Sequence, residues 1–310
     1  SDPDLLNFII SIAEQCYLNE YVNFQTDEEI KIVNTLLNKI ENDKYLNELE
    51  ISILACFMPL YNSKNISQKL LDYHSQNYLF DDLINLQVRE PNKENNLMKT
   101  INSIEKIKNL VSKKVQAQYE ENPYPRWRYL SMGIKSNFLN ILTSNIKPNT
   151  VNSEYKFINP NVLIAGCGTG QQLENIVCYE NSNILAVDLS LTSLAYAKRK
   201  IQELNFENIE FLKGDILDLP RMNKKFDIIE CVGVLHHMEN PSMGLRALLG
   251  VLEPHGVLKL GLYSEIARKH IIEARNFIKK KNLSSHVMDI RNCRELIKKN
   301  KNIKSLNKIT

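Results

Sequence analysis

Three glycines at alternate positions, Gly166, Gly168 and Gly170, follow the apolar run Val162–Ile164. A second apolar run, Ile184–Val187, ends in Asp188. Glycine has no Cβ and tolerates positive φ, so a ligand can approach such a backbone closely. Gln171 and Gln172 open what reads as a helix, whose unpaired N–H groups favour an anionic ligand group. A carboxylate about 20 residues beyond the glycines is placed to accept hydrogen bonds from a ribose diol. The glycine pattern is Gly-x-Gly-x-Gly, not the Gly-x-Gly-x-x-Gly of dinucleotide sites. The chemistry indicated is binding of a nucleoside-type cofactor. Farther along, His236 and His237 could take a proton near neutral pH, or could simply shape their loop. Adjacent side chains point in different directions, so one of the two at most is expected to face a substrate. Tyr263 is a third substrate-side candidate. No third His or Cys stands at ligand spacing from the histidine pair, so no metal site is expected.

These stretches, in this order, resemble class I S-adenosylmethionine-dependent methyltransferases. Val162–Gly170 with Ala186–Ser190 resembles their first glycine motif and the acidic motif after it. Gly214–Ile216 resembles their adenine-contact motif, Phe226–Met238 their fourth motif, and Leu252–Leu260 the strand that follows. Ala165 stands where many members carry an acidic residue, and His255 where a glycine is common. The resemblance implies S-adenosyl-L-methionine as cofactor and S-adenosyl-L-homocysteine as product. It implies that Gly166, Cys167, Gly168 and Gly170 approach the cofactor while Asp188 holds the ribose. Asp215 accepts from the adenine amino group, or merely caps the segment after its strand, and Leu189 and Ile216 sandwich the ring. Val232 and Gly233 lie near the methionine end. The implied fold is a Rossmann-like, doubly wound, mainly parallel α/β sheet preceded by an α-helical N-terminal domain.

Sheet and helix must alternate to position these residues. Strands are expected at Val162–Ile164, Ile184–Val187, Ile209–Leu212, Asp227–Val232 and Val257–Leu262. Helices are expected from Gln171 to about Glu180 and at Leu191–Leu204, the latter with Ser190 as N-cap. Ligands then lie at the carboxyl ends of the strands. Residues 131–142 read as a helix, 143–160 as a loop, Ile266–Lys280 as a helix, and the rest as a polar basic tail. Nothing between Asn282 and Thr310 reads as the antiparallel strand pair that completes such a fold. Either the sheet stops at five strands or more of the domain lies beyond this sequence. The first residue is Ser1 and not Met, which fits a processed chain or an excerpt.

Residues 1–115 read as a helical N-terminal region, similar to the helical segment before the domain in some bacterial methyltransferases, including tetratricopeptide-linked ones. Helices are expected near Asp4, after Thr26, at Leu46–Leu60, at Ser67–Asn77 and at Leu97–Val115, with Arg89–Asn96 as a link. Residues 116–160 read as a cap or linker. Within it, Tyr119–Trp127 carries two Tyr-flanking prolines and reads as a stiff, non-helical segment. Tyr119, Tyr124, Arg126 and Trp127 there either cap cofactor and substrate or clamp two domains together. The cofactor domain is expected over 161–281, and the tail or truncated end over 282–310.

Composition sets the outer bounds. The 310 residues are 43% hydrophobic and 24% charged, with net charge +3. That gives no global field for nucleic acid, so a nucleic-acid acceptor is judged unlikely. The acceptor is expected to be a small molecule or a protein. The basic stretch 279–310 fits a solvated face or an acidic partner. Six scattered cysteines without a Cys-x-x-Cys fit a reducing cytoplasm, and no apolar run is long enough to span a membrane. The function expected is methyl transfer by in-line displacement. Alternatives are a protein methyltransferase that docks its substrate on the helical region, a non-catalytic cofactor-binding protein, and a nicotinamide-dependent oxidoreductase.

Overall fold

A computed structural model of the chain describes residues 2–129, 136–145, 157–173 and 179–299. All five apolar runs form strands, and a sixth, short strand precedes them. They are β1 (Asn102–Ser103), β2 (Asn161–Ala165), β3 (Asn183–Asp188), β4 (Ile209–Lys213), β5 (Phe226–Val232) and β6 (Leu252–Gly261). Their order across the sheet is β1-β4-β3-β2-β5-β6, and every pairing is parallel. The chain moves outward from β2 through β3 to β4, then returns to the other side of β2 as β5. That reversal opens a crevice at the carboxyl ends of β2 and β5, where such sheets bind ligands.

Burial explains why β2 reads as an unbroken apolar run: both of its faces are covered. Val162 and Ile164 pack with Ile184, Ala186, Phe211 and Ile228 on one face. Leu163 and Ala165 pack with Leu185, Val187, Ile229 and Cys231 on the other. The helix Leu191–Glu203 covers the first face with Leu194, Ala197 and Ile201. The helix Pro241–Gly250 covers the second with Ala247 and Leu248. Ser190 caps Leu191–Glu203 as expected, accepting from the Ser193 N–H at 3.1 Å.

Several expectations are corrected. Leu97–Val115 is not one helix. A helix ends at Met98, β1 pairs with β4, and the Ile104 N–H donates to the Lys213 carbonyl at 2.8 Å. Pairing satisfies the polar edge of β4, and this outweighs the helical spacing of the apolar residues. The expected link Arg89–Asn96 is helical. A π turn over Asn85–Arg89 runs into the helix Glu90–Met98, and the widened turn accommodates Pro91, which cannot make an i→i−4 bond. Of Ser67–Asn77 only the part up to Leu71 is helical, as the end of Lys64–Leu71; residues 72–77 link it to the next helix, Tyr78–Ile84, whose N-cap is Asn77. Residues 287–299 are a helix with Arg291, Cys293 and Ile297 buried, not a polar tail. The Arg291 guanidinium explains the order: it donates to the Tyr21 carbonyl at 3.0 Å and to Gln25 Oε1 at 3.0 Å. Of the helix expected over 131–142, the part described is Phe138–Asn145, and 130–135 lie outside the described residues. Most of the loop at 143–160, part of the helix after Gln171 and the last residues of the tail also lie outside them.

The described parts of Ser1–Asn92 and Ser264–Thr310 form one compact unit, and Lys93–Tyr263 forms another. By compactness the chain thus divides at 92/93 and 263/264. In the first unit, the helix Pro3–Leu18 buries Leu6, Ile10, Ala13 and Tyr17 at helical spacing. Asp2 is its N-cap. Asp27–Asn42 starts with a capping box: the Glu29 N–H donates to Thr26 Oγ1 at 3.1 Å, and the Thr26 N–H donates to Glu29 Oε2 at 2.7 Å. Leu54, from the helix Glu48–Ala55, is fully buried in this core. Leu54→Ala should cost about 2–5 kcal/mol in urea denaturation followed by far-UV circular dichroism. Phe8→Ala, at a side chain 63% exposed, should stay within about 0.5 kcal/mol of wild type.

Candidate functional site

The loop after β2 is built by backbone geometry. Gly166, Gly168 and Gly170 all adopt positive φ, at 79°, 52° and 82°. The Gly166 and Cys167 N–H groups both donate to the Val187 carbonyl, at 2.8 and 3.1 Å, so the loop folds over the end of β3. Asp188 fixes it there. One carboxylate oxygen accepts from the Gly168 N–H at 2.8 Å and the other from the Ser190 N–H at 2.9 Å. Burial raises the Asp188 carboxyl above its ordinary value, opposed by these N–H bonds and reinforced by the charge of Glu120. Each oxygen keeps a further lone pair for a ligand hydroxyl.

The crevice holds a cavity of about 230 Å³. Its floor is Gly166, Cys167 and Gly168, with Asp188 and Leu189 from the end of β3. Asp215 and Ile216 follow β4, and Val232 and Gly233 end β5. Asp215 is buried, and it also caps the turn Ile216–Met222 by accepting from the Leu217 N–H at 3.0 Å. Lining and capping thus coexist in one side chain. Gly233, at φ 78°, leaves the end of β5 open, since an added Cβ would meet nothing within 4 Å.

Gly170 is a correction. It does not line the cavity. An added Cβ would sit 2.8 Å from Ala197 Cβ, so this glycine permits close packing of the loop on the helix Leu191–Glu203. His236 is another: His237 and Tyr263 line the cavity, and His236 does not. Its ring lies between theirs instead, with centroids 3.8 Å from Tyr263 and 4.3 Å from His237, tilted by 33° and 53°. His236 orients the two rings that reach the cavity.

The aromatic segment splits by function. Tyr119 and Tyr124 line the cavity, but Arg126 and Trp127 do not. Burial raises the Tyr119 phenol, and the nearby Tyr263, Asp188 and Tyr124 raise it further. Trp127 is buried as a clamp. Its indole N–H donates to the Thr169 carbonyl at 3.0 Å, and the Thr169 hydroxyl donates to the Pro125 carbonyl at 2.6 Å. The Lys200 ammonium lies 5.4 Å from the Trp127 ring centroid. The segment is not wholly extended either, since Tyr119–Glu121 close the helix Leu110–Glu121.

That helix supplies wall residues that the motifs did not signal. Ser112, Val115 and Tyr119 follow each other at intervals of three and four and all line the cavity. The spacing is visible in the sequence, but it crosses the point where the helix was expected to stop. Gln172 and Met238 also join the wall, and the Gln172 amide donates to the Val232 carbonyl at 3.0 Å.

Residues 158–309 match a family model described as a methyltransferase domain. The chain carries a class I methyltransferase domain. An uncharacterised protein of Synechococcus sp. is 38% identical over 121 residues, which are 38% of this chain and 29% of that protein. The tRNA U34 carboxymethyltransferase of Campylobacter fetus subsp. fetus is 33% identical over 91 residues, 29% of this chain and 32% of that protein. Among solved structures, PKMT2 from Rickettsia typhi in complex with AdoHcy is 32% identical, with a TM-score of 0.37, over 45% of this chain and 28% of that one. The chain thus spans about a third or less of each. The methyltransferase class is S-adenosylmethionine-dependent. No helix among the described residues is long and apolar enough to cross a membrane.

The glycines of this methyltransferase domain differ in what a methyl group would meet. Gly170→Ala forces a Cβ against Ala197 at positive φ, and should cost at least about 1–3 kcal/mol of stability. Gly168→Ala meets only the Tyr124 carbonyl, at 3.6 Å, and should cost about 1–2 kcal/mol, from backbone conformation alone. Denaturation of the two variants checks the order. Equal losses would count against a packing role for Gly170.

Proposed function

We propose that the cavity holds S-adenosylmethionine and that the domain transfers its methyl group to an acceptor entering beside His237 and Tyr263. The observation that carries this reading is the charge of the lining. Asp188 and Asp215 contribute carboxylates, and among the described residues no Lys or Arg lines the cavity. Such a wall suits a cationic nucleoside. It is poorly suited to the pyrophosphate of a nicotinamide dinucleotide, which counts against the oxidoreductase alternative.

The residues fit the cofactor by their donor and acceptor chemistry. Asp188 accepts from the ribose diol with the lone pairs left after its two N–H bonds. Asp215 accepts from the adenine amino group, and Leu189 and Ile216 offer apolar faces to the ring. The open backbone of Gly166–Gly168 and Gly233 admits the methionine part. The sulfonium supplies the electrophile, so no protein nucleophile is required. What remains for the protein is to align the acceptor and exclude water. His237 can receive a proton from an acceptor hydroxyl or amine, and Tyr263 can orient it.

The acceptor class is left wide. A relative named for a tRNA nucleoside removes the ground for setting nucleic acid aside, so that expectation is withdrawn. Small molecules, proteins and RNA all stand as acceptors to be assayed. Transfer of labelled methyl groups into a fractionated lysate should mark one fraction above a no-protein control. Cofactor binding without any transfer would instead favour a non-catalytic role.

Asp188→Ala should weaken S-adenosylhomocysteine binding about 10- to 100-fold, the range for losing hydrogen bonds to a charged group. Isothermal titration calorimetry reads this directly. An unchanged Kd would sink the proposed ribose contact.

A further inference from the structure

We infer that Glu120 is a positioning residue that holds the cavity-lining helix Leu110–Glu121 closed over the nucleoside end of the site. The inference rests on reading the cavity as the S-adenosyl site. Glu120 does not line the cavity. Its carboxylate lies across the amino-terminal turn of Leu191–Glu203. One oxygen accepts from the Leu191 N–H at 3.0 Å, and the other from the Thr192 N–H at 3.1 Å and the Thr192 hydroxyl at 3.0 Å. The Lys213 ammonium, at the end of β4, adds a contact at 3.3 Å, and the Gln116 amide one at 3.4 Å.

The joint is reciprocal. The last carbonyls of one helix accept from hydroxyls at the start of the other. The Ser190 hydroxyl donates to the Tyr119 carbonyl at 3.0 Å, and the Thr192 hydroxyl approaches the Tyr119 and Glu120 carbonyls at 3.2 and 3.1 Å. Two sets of terminal groups that normally need water or caps satisfy each other. A carboxylate at a helix N-terminus is also favoured by the helix dipole. The position matters because Ser190 is the residue whose N–H binds Asp188. Glu120 therefore ties Tyr119 to the same turn that fixes the Asp188 carboxylate. A second fastening, Trp127 and Pro125 to Thr169, ties the far end of the segment to the glycine loop. Between the two fastenings lie Tyr124 and Pro125, which also line the cavity.

A side chain that only stabilised the fold would change melting and leave affinity alone. A positioning role predicts more. Glu120→Ala should weaken S-adenosylhomocysteine binding tenfold or more, at a temperature where circular dichroism shows the variant folded. Glu120→Gln keeps the shape but loses the charge and one acceptor, and should fall between. Thr192→Val removes the opposing hydroxyl, and its effect on Kd should be less than additive with Glu120→Gln, because the two changes break one joint. Trp127 is the chain's one tryptophan, so its fluorescence reports the segment directly. Acrylamide should quench it more in the Glu120 variants than in wild type, and bound S-adenosylhomocysteine should reduce the difference. Wild type that fails to bind S-adenosylhomocysteine would overturn the cofactor reading itself. Wild type that binds, with both Glu120 variants within twofold of it and no change in quenching, would overturn the inference alone. If Glu120→Ala does not fold, Glu120→Gln and Thr192→Val decide the matter by the same two measurements.

Discussion

The Asp188 carboxylate is the point on which the candidate site is built. It accepts the Gly168 N–H on one side and the Ser190 N–H on the other. The loop after β2 and the turn after β3 are therefore held by one charged group. Burial makes that charge costly, as the raised carboxyl shows. A carboxylate with lone pairs still open to the cavity is one that a ligand hydroxyl can bond. Local strain of this kind belongs at a binding site.

The sheet makes the Asp188 arrangement possible at no further cost. Parallel pairing of β2 with β3 and β5 aligns the carboxyl ends of three strands. Gly166, Asp188 and Gly233 then fall on one rim without any specific contact to bring them there. The backbone bonds that follow are uniform: Gly166 and Cys167 to Val187, Gly214 to Asp188, and Gly233 to Gly261. β1, β2, β4 and β5 each end by bonding the next residue to a neighbouring strand. The rim is thus rigid, and the variable parts of the site are the side chains set upon it.

Why some of this was legible follows from the same physics. Strands buried on both faces must be apolar throughout, so β2, β3 and β5 announced themselves. Asp188 and Asp215 lie at fixed distances from strand ends, so motif spacing located them. Gly170 was misread because a glycine needed for packing on Ala197 looks identical in sequence to one needed for ligand approach. Which of His236 and His237 reaches the cavity stayed open, because adjacency in sequence does not say which ring is turned toward it. The strand β1 was hidden because two polar residues, Asn102 and Ser103, carry no period; only the need to satisfy the edge of β4 makes them a strand. The helix Val287–Lys299 was hidden in a basic stretch whose apolar residues are mostly exposed; Cys293 and Ile297 are buried at an interval of four, with Arg291 beside them.

The division between rim and wall also separates two kinds of specificity. The rim residues that suit a nucleoside belong to the sheet, and changing them disturbs the sheet's own bonds. His237, Met238 and Tyr263 lie in the segments that follow β5 and β6, not in the strands themselves. Tyr119 and Tyr124 come from a segment fastened at Glu120 and at Trp127, outside the sheet altogether. On the proposed reading, acceptor preference can change through these five side chains while Asp188 and the glycine loop stay fixed. That independence is the physical reason a methyltransferase domain is readable from spacing while its acceptor is written in residues that obey no spacing at all.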